Sequence, residues 1–540
     1  MDQFMNDPAQ LVTQAIDGVL ASCDGTLARL DGYPHIKVVH RKDWGKSKVA
    51  LISGGGSGHE PSHAGFVGKG MLTAAVCGDV FASPSVEAVL AGILAVTGEA
   101  GCLLIVKNYT GDRLNFGLAA QRARAFGLQV EMVVVGDDAA LPHLPQPRGV
   151  AGTLFVHKIL GHAAQQGAAL AALKAMADRL IPTIASMGMS LHTCSIPGTE
   201  REERVAPGNV ELGLGIHGEA GIKQVPYTDA AQAMALILQT LQPVMTGEKN
   251  AVLLNNLGRT TPLEMSVLMH ELAQARTSTR VSHVIGPAGL MTSLDMHGFS
   301  VSVLPLNDDW ESALMAPVAP AAWPGMAALV SPALTPLPGG LNPIEPIASD
   351  NKATRQVIER CCQRLIASKD ALNGLDAKSG DGDTGSTLAA AAKALQESLD
   401  TMPLADLTQL FPALGAQLSQ TMGGSSGVIL AIFFEATGEA CARGDDPVTA
   451  LGKGLARISE VGGAQPGDRT LIDALAPALT AFASGGFAAA ATAARAGADR
   501  TQDMGQAKAG RASYVPEENL LGYNDPGAEA IALLFEELAG

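Results

Sequence analysis

The chain has 540 residues and a formal net charge of −16, from 37 basic and 53 acidic side chains. This length exceeds one ordinary hydrophobic core and predicts about two to four domains. Nucleic-acid-binding proteins normally carry a basic face, so the acidic balance argues against that class. Hydrophobic residues make up 47% of the chain and aromatic residues only 4%, which is typical of a helix-rich globular enzyme rather than a disordered chain.

Cysteine usage and hydropathy indicate where such a protein works. The seven cysteines are odd in number and none forms a CxxC pair, so neither a disulfide framework nor a structural zinc site is expected. The first residues lack a basic segment followed by an apolar one. No stretch reaches about 18 unbroken apolar residues, the length of a membrane span. We therefore expect a cytoplasmic protein without membrane contact.

The first half alternates short apolar runs with helical stretches. Apolar runs at residues 49–52, 102–106 and 130–135 predict strands, and the segments 85–96 and 118–126 predict helices between them. Short buried strands that alternate with helices indicate α/β units with a mostly parallel sheet. We therefore predict an α/β domain over residues 1–330.

A proline-rich segment follows this half. Prolines are dense between Pro317 and Pro346, and a Gly339-Gly340 pair lies among them. Prolines at this density cannot continue a helix or a central strand, and they favour an extended connector. We predict a linker over residues 331–349. The alternative is a surface loop with a short strand at residues 328–330.

The second half has no comparable strand-like runs. Its apolar residues recur at helical spacing, as in Ile358, Cys362 and Leu365, which predicts an all-α domain over residues 350–540. All twelve histidines lie at or before His297. Acid–base or metal chemistry in the second half must therefore depend on carboxylates, and the two halves are expected to do different chemistry.

A glycine-rich turn, SGGGSGHEP at residues 53–61, follows the first predicted strand. Glycines at the carboxyl end of a strand let the backbone approach a ligand and offer N–H donors. The turn is not a Walker A loop, because the Gly-Lys-Ser/Thr ending is absent, and it is a poor dinucleotide-binding fingerprint. By itself it is equally typical of a tight structural turn.

Two further segments favour a ligand site. The residues KNYTGD at 107–112 directly follow a predicted strand, where ligand sites of α/β proteins cluster. The segment GLGIHGEAG at 213–221 puts His217 among glycines, which give its ring little cover. Spacing alone leaves a ligand-binding histidine and a structural histidine as even alternatives.

The segments GGGSGHEPSHAGF, CGDVFASPS, VKNYTGDRLNFGLA and GLGIHGEAG occur in this order, and together they resemble the substrate-binding domain of dihydroxyacetone kinases. In that family a histidine binds the ketone covalently as a hemiaminal, and the resemblance gives this role to His217. It implies substrate-binding and acid–base roles for His59 and Asp112. The other implied substrate contacts are Gly56, Ser57, Gly58 and Lys107.

The residue types suit such chemistry. A neutral imidazole nitrogen is nucleophilic near neutral pH. A reversible C–N bond would fix a small ketone and orient its hydroxyl group for attack, and it would select for a carbonyl group, so glycerol should be refused. Asp112 would accept the proton of the attacking hydroxyl, with His59 polarising the substrate oxygen.

An aspartate-rich loop, LDAKSGDGDTGST at residues 375–387, stands in the second half. Its carboxylates would repel one another without a cation, and hard oxygen ligands suit Mg²⁺ completed by nucleotide phosphates. One alternative is a solvated acidic turn. An EF-hand fits the spacing poorly. A haloacid-dehalogenase-type phosphatase needs its nucleophilic aspartate after an apolar strand, whereas Lys378-Ser379-Gly380 precedes Asp381 here.

With the segments GGSSG, GRASY and DPG farther along, this loop resembles the nucleotide-binding domain of the same family. The implied fold is a barrel of amphipathic helices with Mg²⁺ and ATP at one end. The implied metal ligands are Asp376, Asp381 and Asp383. The implied ATP contacts are Thr384, Gly385, Ser386, Thr387, Ser425, Ser426, Gly462, Arg511, Asp525, Pro526 and Gly527. Residues 384–387 would offer backbone N–H and hydroxyl donors to phosphate.

A chain with both domains resembles the ATP-dependent form of the family, not the form in which a phosphotransferase system recharges the nucleotide. The resemblance implies phosphorylation of dihydroxyacetone (glycerone) by a homodimer with exchanged domains. Three alternatives stay open: a kinase for another short ketose such as erythrulose, cyclisation of FAD to a cyclic FMN product (FAD-AMP lyase), and a transcriptional co-regulator. Intact His217 and an intact aspartate trio argue against a purely regulatory role.

Overall fold

The computed structural model describes residues 3–140, 146–338 and 346–540. The chain forms two compact units, Met1–Leu334 and Thr335–Gly540. The predicted fold class is confirmed, because an α/β unit precedes a helical one. Residues 339–345 of the predicted linker lie outside the described residues, so the extent of the linker stays a prediction.

Strands and helices alternate in the first unit, and helices alone make up the described second unit apart from short turns. The strands are β1 (Leu27–Arg29), β2 (Val38–Arg41), β3 (Ala50–Ser57), β4 (Ala74–Val80), β5 (Cys102–Lys107), β6 (Val130–Val135), β7 (Ala185–His192), β8 (Asn209–Leu212), β9 (Lys223–Pro226), β10 (Asn250–Asn256), β11 (Val281–Ala288), β12 (His297–Pro305) and β13 (Met326–Ala328). The helices of the first unit are α1 (Leu11–Ala21), α2 (Val86–Val96), α3 (Thr110–Ala125), α4 (Thr153–Gln165), α5 (Leu170–Leu180), α6 (Ala230–Leu241), α7 (Pro262–Gln274), α8 (Arg276–Thr279) and α9 (Asp308–Met315). Those of the second unit are α10 (Lys352–Ala367), α11 (Lys369–Ser379), α12 (Thr384–Ser398), α13 (Leu407–Thr421), α14 (Gly424–Ala442), α15 (Pro447–Gly462), α16 (Ile472–Arg500), α17 (Glu517–Leu520) and α18 (Pro526–Ala539).

The first sheet has the strand order β1-β2-β4-β3-β5-β6. Its central strands β4, β3, β5 and β6 pair in parallel, and β1 and β2 form an antiparallel edge. One core packs α4 and α5 on one face, and another packs α2 and α3 on the other. Burial on both faces explains the unbroken apolar runs of β3 and β5.

The second sheet has the order β13-β11-β10-β12-β7-β8-β9 and is mainly antiparallel, with a parallel pair between β10 and β11. This pairing differs from the mostly parallel units expected from the sequence. No α-helix separates β7, β8 and β9 in the described chain, and antiparallel neighbours need no helical crossover. The turn between β8 and β9 carries His217.

The helices of the second unit close into a ring. Contacts run in the order α10, α12, α13, α14, α15, α16 and α18, and α18 also contacts α10. Alanines such as Ala474, Ala494 and Ala528 are buried where α16 meets α18, and their small side chains allow close packing. α16 is interrupted at Gly486, which has a φ of 66°.

Two segments of this ring, Gly424–Ala442 and Ile472–Asp503, are long and apolar enough to cross a membrane by length and composition. Both belong to helices that pack against their neighbours, α14 against α13 and α15, and α16 against α18. A core helix of a soluble protein meets the same criteria. The absence of membrane contact therefore stays a prediction.

Gly54 lies within β3 where the neighbouring strand comes very close. A Cβ atom at Gly54 would overlap the carbonyl oxygen of Val76 on β4. We expect Gly54→Ala to destabilise the protein by about 1–3 kcal/mol, because the two strands must separate. Gly117→Ala on α3 is the matched control, since a Cβ there meets no atom within 4 Å and should stabilise the helix by about 0.5–1 kcal/mol.

The measurement is the apparent melting temperature of both variants and of the unmodified chain. A lower value for Gly54→Ala beside a slightly higher value for Gly117→Ala would support this account of β3. An unchanged melting temperature in Gly54→Ala would contradict it.

Candidate functional site

The substrate contacts implied by the resemblance lie at the carboxyl ends of β3 and β5. Gly56 and Ser57 end β3, Lys107 ends β5, and Asp112 lies in the first turn of α3. β3 and β5 are parallel neighbours, so their ends meet at one edge of the sheet. This edge is where α/β proteins bind ligands.

His217 reaches this edge from the second sheet. Its ring centroid lies 4.8 Å from that of His59, 4.4 Å from that of Tyr109 and 5.4 Å from that of Phe81, each in an edge-to-face arrangement. Phe81 follows β4 and Tyr109 caps α3. Sequence reasoning did not single out either aromatic residue, although both lie inside the family-like segments.

Glu219 orients the ring of His217. Its Oε1 lies 3.3 Å from Nδ1 of His217, and its Oε2 accepts the backbone N–H of His217 at 2.9 Å. Burial alone would raise the pKa of Glu219, but its hydrogen bonds with His217 outweigh burial and lower the pKa to about 2. The carboxylate accepts a hydrogen bond from the N–H at Nδ1. The lone pair of the ring is then at Nε2, where it is available to a ligand. Sequence reasoning missed Glu219, two residues away.

His59 is a buried, neutral hydrogen-bond acceptor. Its Nδ1 donates to the carbonyl oxygen of Thr292 at 2.8 Å, and burial lowers the pKa of His59 well below 6.5. Its Nε2 therefore carries a lone pair, and it has no partner in the described parts of the chain. A neutral ring in this tautomer cannot polarise a substrate oxygen as a donor. This tautomer favours a hydrogen-bond acceptor over the polarising group expected from the sequence, and the role of His59 stays a prediction.

The ends of the Lys107 and Asp112 side chains both lie close to Gly55. A Cβ atom at Gly55 would lie 2.6 Å from Nζ of Lys107 and 3.3 Å from Oδ2 of Asp112. The other carboxylate oxygen of Asp112 accepts a hydrogen bond from the hydroxyl of Ser83. Nζ of Lys107 lies 2.8 Å from Nε2 of His63. A side chain at residue 55 would therefore collide with the ammonium group.

The polar groups of Ser57 and Gly58 are used by the turn itself. Ser57 Oγ donates to the carbonyl oxygen of Gly78 at 2.8 Å, and the backbone N–H of Gly58 donates to Glu60 at 3.0 Å. A direct substrate contact through the Ser57 hydroxyl donor would have to replace the bond to Gly78. The substrate contacts expected of Gly56, Ser57 and Gly58 stay predictions.

The three predicted metal ligands of the second unit come together. Asp376 lies in α11, Asp381 in the following turn and Asp383 at the start of α12, and their ligand oxygens lie within 4.8 Å of one another. Hard oxygen donors at this separation fit Mg²⁺. Burial, and then the charges of Asp381 and Asp376, raise the pKa of Asp383, as expected when carboxylates share a site without a cation.

A predicted nucleotide contact already touches this trio. The guanidinium of Arg511 donates to Oδ2 of Asp381, across 130 residues of sequence. This hydrogen bond lowers the pKa of Asp381. A predicted metal ligand and a predicted ATP contact, each suggested by a separate motif, are therefore neighbours in the folded unit.

Some backbone N–H groups in the first turn of α12 already donate to side chains of the protein. The backbone N–H of Thr384 donates to Asp376 at 3.1 Å, and that of Ser386 donates to Asn373 at 2.9 Å. These two amides cannot bind phosphate without losing these bonds. The expectation of backbone donors is thus weakened at Thr384 and Ser386, whereas the hydroxyl groups of residues 384–387 remain suitable donors.

The remaining predicted ATP contacts lie at helix ends. Asp525 caps α18 by accepting the backbone N–H of Ala528 at 2.8 Å, and burial raises the pKa of Asp525 to about 6. At Gly385 a Cβ would overlap the carbonyl oxygen of Lys369, so this glycine is required for packing. The others are Ser425 and Ser426 in the first turn of α14, Gly462 at the end of α15, and Pro526 and Gly527 at the start of α18.

Comparisons with known proteins cover both units. A model of the Dak1 domain matches residues 18–322, and a model of the DAK2 domain matches residues 378–540. The chain is 47% identical to the dihydroxyacetone kinase of Citrobacter freundii, over 99% of this chain and 98% of that protein. It is 37% identical to the triokinase/FMN cyclase of Homo sapiens, again over 99% and 98%.

A solved structure gives the same result. The crystal structure of the dihydroxyacetone kinase from C. freundii in complex with AMP-PNP and Mg²⁺ matches with a TM-score of 0.69 and 45% identity. The match covers 100% of this chain and 99% of that chain. It therefore includes both the unit that contains His217 and the unit that contains the aspartate trio.

The crowding of three carboxylates predicts a measurable effect on stability. We expect Asp383→Asn to raise the apparent melting temperature of the metal-free protein, because one of the repelling charges is removed. The same variant should lose the additional stability that Mg²⁺ and ATP give to the unmodified chain by binding its folded form.

Asp350→Asn is the control, since Asp350 is exposed and precedes α10, outside the trio. It should leave both melting temperatures unchanged. If Asp383→Asn retained the full stabilisation by Mg²⁺ and ATP, Asp383 would not be a metal ligand.

Proposed function

This chain belongs to the dihydroxyacetone kinase family, and we propose that it transfers the γ-phosphoryl group of ATP to dihydroxyacetone, forming dihydroxyacetone phosphate. The observation that carries the proposal is the setting of His217 at the edge of the sheet where β3 and β5 end. Its Nδ1 is held by Glu219, and its Nε2 has no hydrogen-bond partner among the described residues. A cytoplasmic location would suit these water-soluble reactants and stays a prediction.

His217 would capture the ketone. Its Nε2 forms a bond to the carbonyl carbon while the π bond of the carbonyl group breaks, and the carbonyl oxygen takes a proton from solvent to become a hydroxyl group. The ring carries positive charge once the C–N bond has formed, and the carboxylate of Glu219 stabilises that charge, as the carboxylate of a catalytic triad does for its histidine. Release of the Nδ1 proton to solvent returns one proton for the one taken up, and leaves a neutral hemiaminal. Glycerol has no carbonyl carbon for this step.

Asp112 and His59 would handle the proton of the attacking hydroxyl group. Asp112 has one carboxylate oxygen close to Gly55, where Nζ of Lys107 also lies. We assign the proton to this oxygen, because a carboxylate accepts the proton as the O–P bond forms. The bare Nε2 of His59 would accept a hydrogen bond from a substrate hydroxyl and fix its direction.

The aspartate trio would hold Mg²⁺, which supplies charge neutralisation for the phosphates of ATP. The hydroxyl groups at the start of α12 would donate to phosphate oxygens. Arg511 is exposed and paired with Asp381, so its guanidinium would be free to pair with phosphate after Asp381 has turned to the cation. In-line transfer then depends mainly on positioning and charge.

A second activity is supported by one specific relative. The human protein that is 37% identical over nearly its whole length is named triokinase/FMN cyclase. Conversion of FAD to a cyclic FMN product would use the nucleotide site and the aspartate trio, with no role for a ketone-binding histidine. A short ketose such as erythrulose is a further candidate substrate, because it offers the same carbonyl group beside a hydroxyl group.

The test measures ATP consumption by the purified protein with Mg²⁺, and identifies each product by mass. The substrates are dihydroxyacetone, erythrulose, glyceraldehyde and glycerol, with FAD assayed separately. We expect phosphorylation of dihydroxyacetone and none of glycerol. His217→Ala should lower ketone phosphorylation by roughly a thousandfold, as loss of a covalent nucleophile does, and should spare FAD cyclisation.

The matched control is His270→Ala, which removes an exposed histidine on α7 and should retain full activity. Full kinase activity and full ketone affinity in His217→Ala would overturn covalent capture. If the unmodified protein phosphorylated none of the four compounds, the kinase assignment itself would fail.

We further propose that the working form is a homodimer in which the ketone site of one chain serves the nucleotide site of the other. This arrangement is implied by the family resemblance, and it makes a sharp prediction. His217→Ala and Asp381→Asn chains should each be inactive alone. When they are co-expressed, a mixed dimer with exchanged domains contains one site with both groups intact.

Random assortment makes half of the dimers mixed, and each mixed dimer has one complete site of two. Activity should therefore recover to about one quarter of the unmodified level. Without exchange, no dimer contains a complete site, and co-expression would give only the activity of the single variants. Sedimentation of the unmodified protein measures whether the dimer exists.

A further inference from the structure

A group of buried basic side chains includes Lys107, one of the predicted substrate contacts. Lys107, His63 and His157 are 0%, 3% and 0% exposed. Nζ of Lys107 lies 2.8 Å from Nε2 of His63, and the ring centroids of His63 and His157 are 5.3 Å apart. A buried ammonium group is costly unless hydrogen bonds satisfy it, so its partners decide how it can act.

His63 is the acceptor in its contact with Lys107. An ammonium group only donates hydrogen bonds, so Nε2 of His63 carries the lone pair and Nδ1 carries the proton. Burial, and then the charge of Lys107, lower the pKa of His63 well below 6.5, which keeps the ring neutral. Nδ1 has no partner in the described chain. Among the described residues, the contact with Lys107 is therefore the polar contact that this ring makes.

The ammonium of Lys107 has one donor left for a ligand. Of its three N–H groups, one meets His63 at 2.8 Å and another meets the carbonyl oxygen of Gly54 at 3.4 Å. Nζ lies close to Gly55, as does one carboxylate oxygen of Asp112, since a Cβ atom at that position would come within 2.6 Å and 3.3 Å of them. A substrate oxygen bound beside Gly55 would meet both groups.

We propose that His63 is a positioning residue for the kinase reaction, which holds the Lys107 ammonium so that its remaining N–H meets an oxygen atom of the ketone. This inference rests on the proposed function, in which Lys107 contacts the substrate. A lysine side chain is long and has high rotamer freedom. An acceptor at 2.8 Å removes much of that freedom before the ketone arrives.

His63 and its neighbour His157 differ in their hydrogen bonding. His157 is equally buried, and neither of its ring nitrogens has a partner in the described chain. Its contribution is therefore that of a packed ring, and it provides a matched control at the same depth. A purely structural role for both rings predicts equal effects of substitution, whereas positioning predicts an effect at His63 alone.

The first experiment measures the dissociation constant of dihydroxyacetone for the full-length, nucleotide-free protein by calorimetry, together with kcat and both KM values. His63→Leu removes the acceptor and should weaken ketone affinity about tenfold, the loss expected for one charged hydrogen bond, with the KM for ATP unchanged. His63→Gln retains an oxygen acceptor and should restore most of the affinity. His157→Leu should leave ketone affinity unchanged.

A second experiment asks whether His63 acts through Lys107. Lys107→Met removes the ammonium, so adding His63→Leu to it should cause no further loss of ketone affinity. Multiplicative losses in the double variant would overturn the proposal. So would equal losses in His157→Leu and His63→Leu, or a His63→Gln variant as weak as His63→Leu.

Two further points keep the test decisive. If His63→Leu does not fold, His63→Asn replaces it, because the shorter side chain cannot maintain the contact with Nζ. Ketone binding requires no phosphoryl transfer, so an unmodified protein that binds dihydroxyacetone but does not phosphorylate it would refute the proposed kinase function while the His63 comparison still gives its result.

Discussion

The parallel pairing of β3 with β5 is the interaction on which the ketone site depends. It brings the glycine-rich end of β3 beside Lys107, and it brings the start of α3 with Asp112 to the same edge. Two glycines of β3 permit the close contacts of this strand. A Cβ atom at Gly54 would overlap Val76 of β4, the other parallel neighbour of β3, and a Cβ atom at Gly55 would collide with Nζ of Lys107. These glycines therefore permit the pairing of β3 with β4 and the position of the Lys107 ammonium.

His59 is neutral and Glu219 is ionised at this edge, and the two charge states have different causes. Burial keeps His59 neutral, and its bond to the Thr292 carbonyl assigns the proton to Nδ1. Glu219 stays ionised because its hydrogen bonds with His217 outweigh burial. One ring is thereby fixed as an acceptor, and the other is supplied with a carboxylate that stabilises positive charge. Two histidines with 4.8 Å between their ring centroids are thus suited to different tasks.

Local patterns in the sequence predicted the α/β and helical units, because apolar period and helix spacing are local properties. They did not predict the antiparallel second sheet, since the pairing direction depends on partners far along the chain. The tautomer of His59 is set by a residue 233 positions away, and the pair of Arg511 and Asp381 spans 130 positions. His63 stood inside a recognised motif, yet its contact with Lys107, 44 positions away, appears only in the fold.

The charged groups of the two units differ in burial and in pairing, and this difference bears on how each proposed site binds its ligand. In the α/β unit, Lys107 is buried and partnered within the protein, so the polar groups of the ketone site are arranged before a neutral ligand binds. In the helical unit, Asp381 and Asp383 are exposed, and partial desolvation together with the charges of Asp381 and Asp376 raises the pKa of Asp383. If this trio holds Mg²⁺ as proposed, that site gains most when the cation arrives with its nucleotide. A neutral ketone can contribute little charge to assembling its own site, whereas Mg²⁺ with ATP can complete a site that the protein leaves unbalanced.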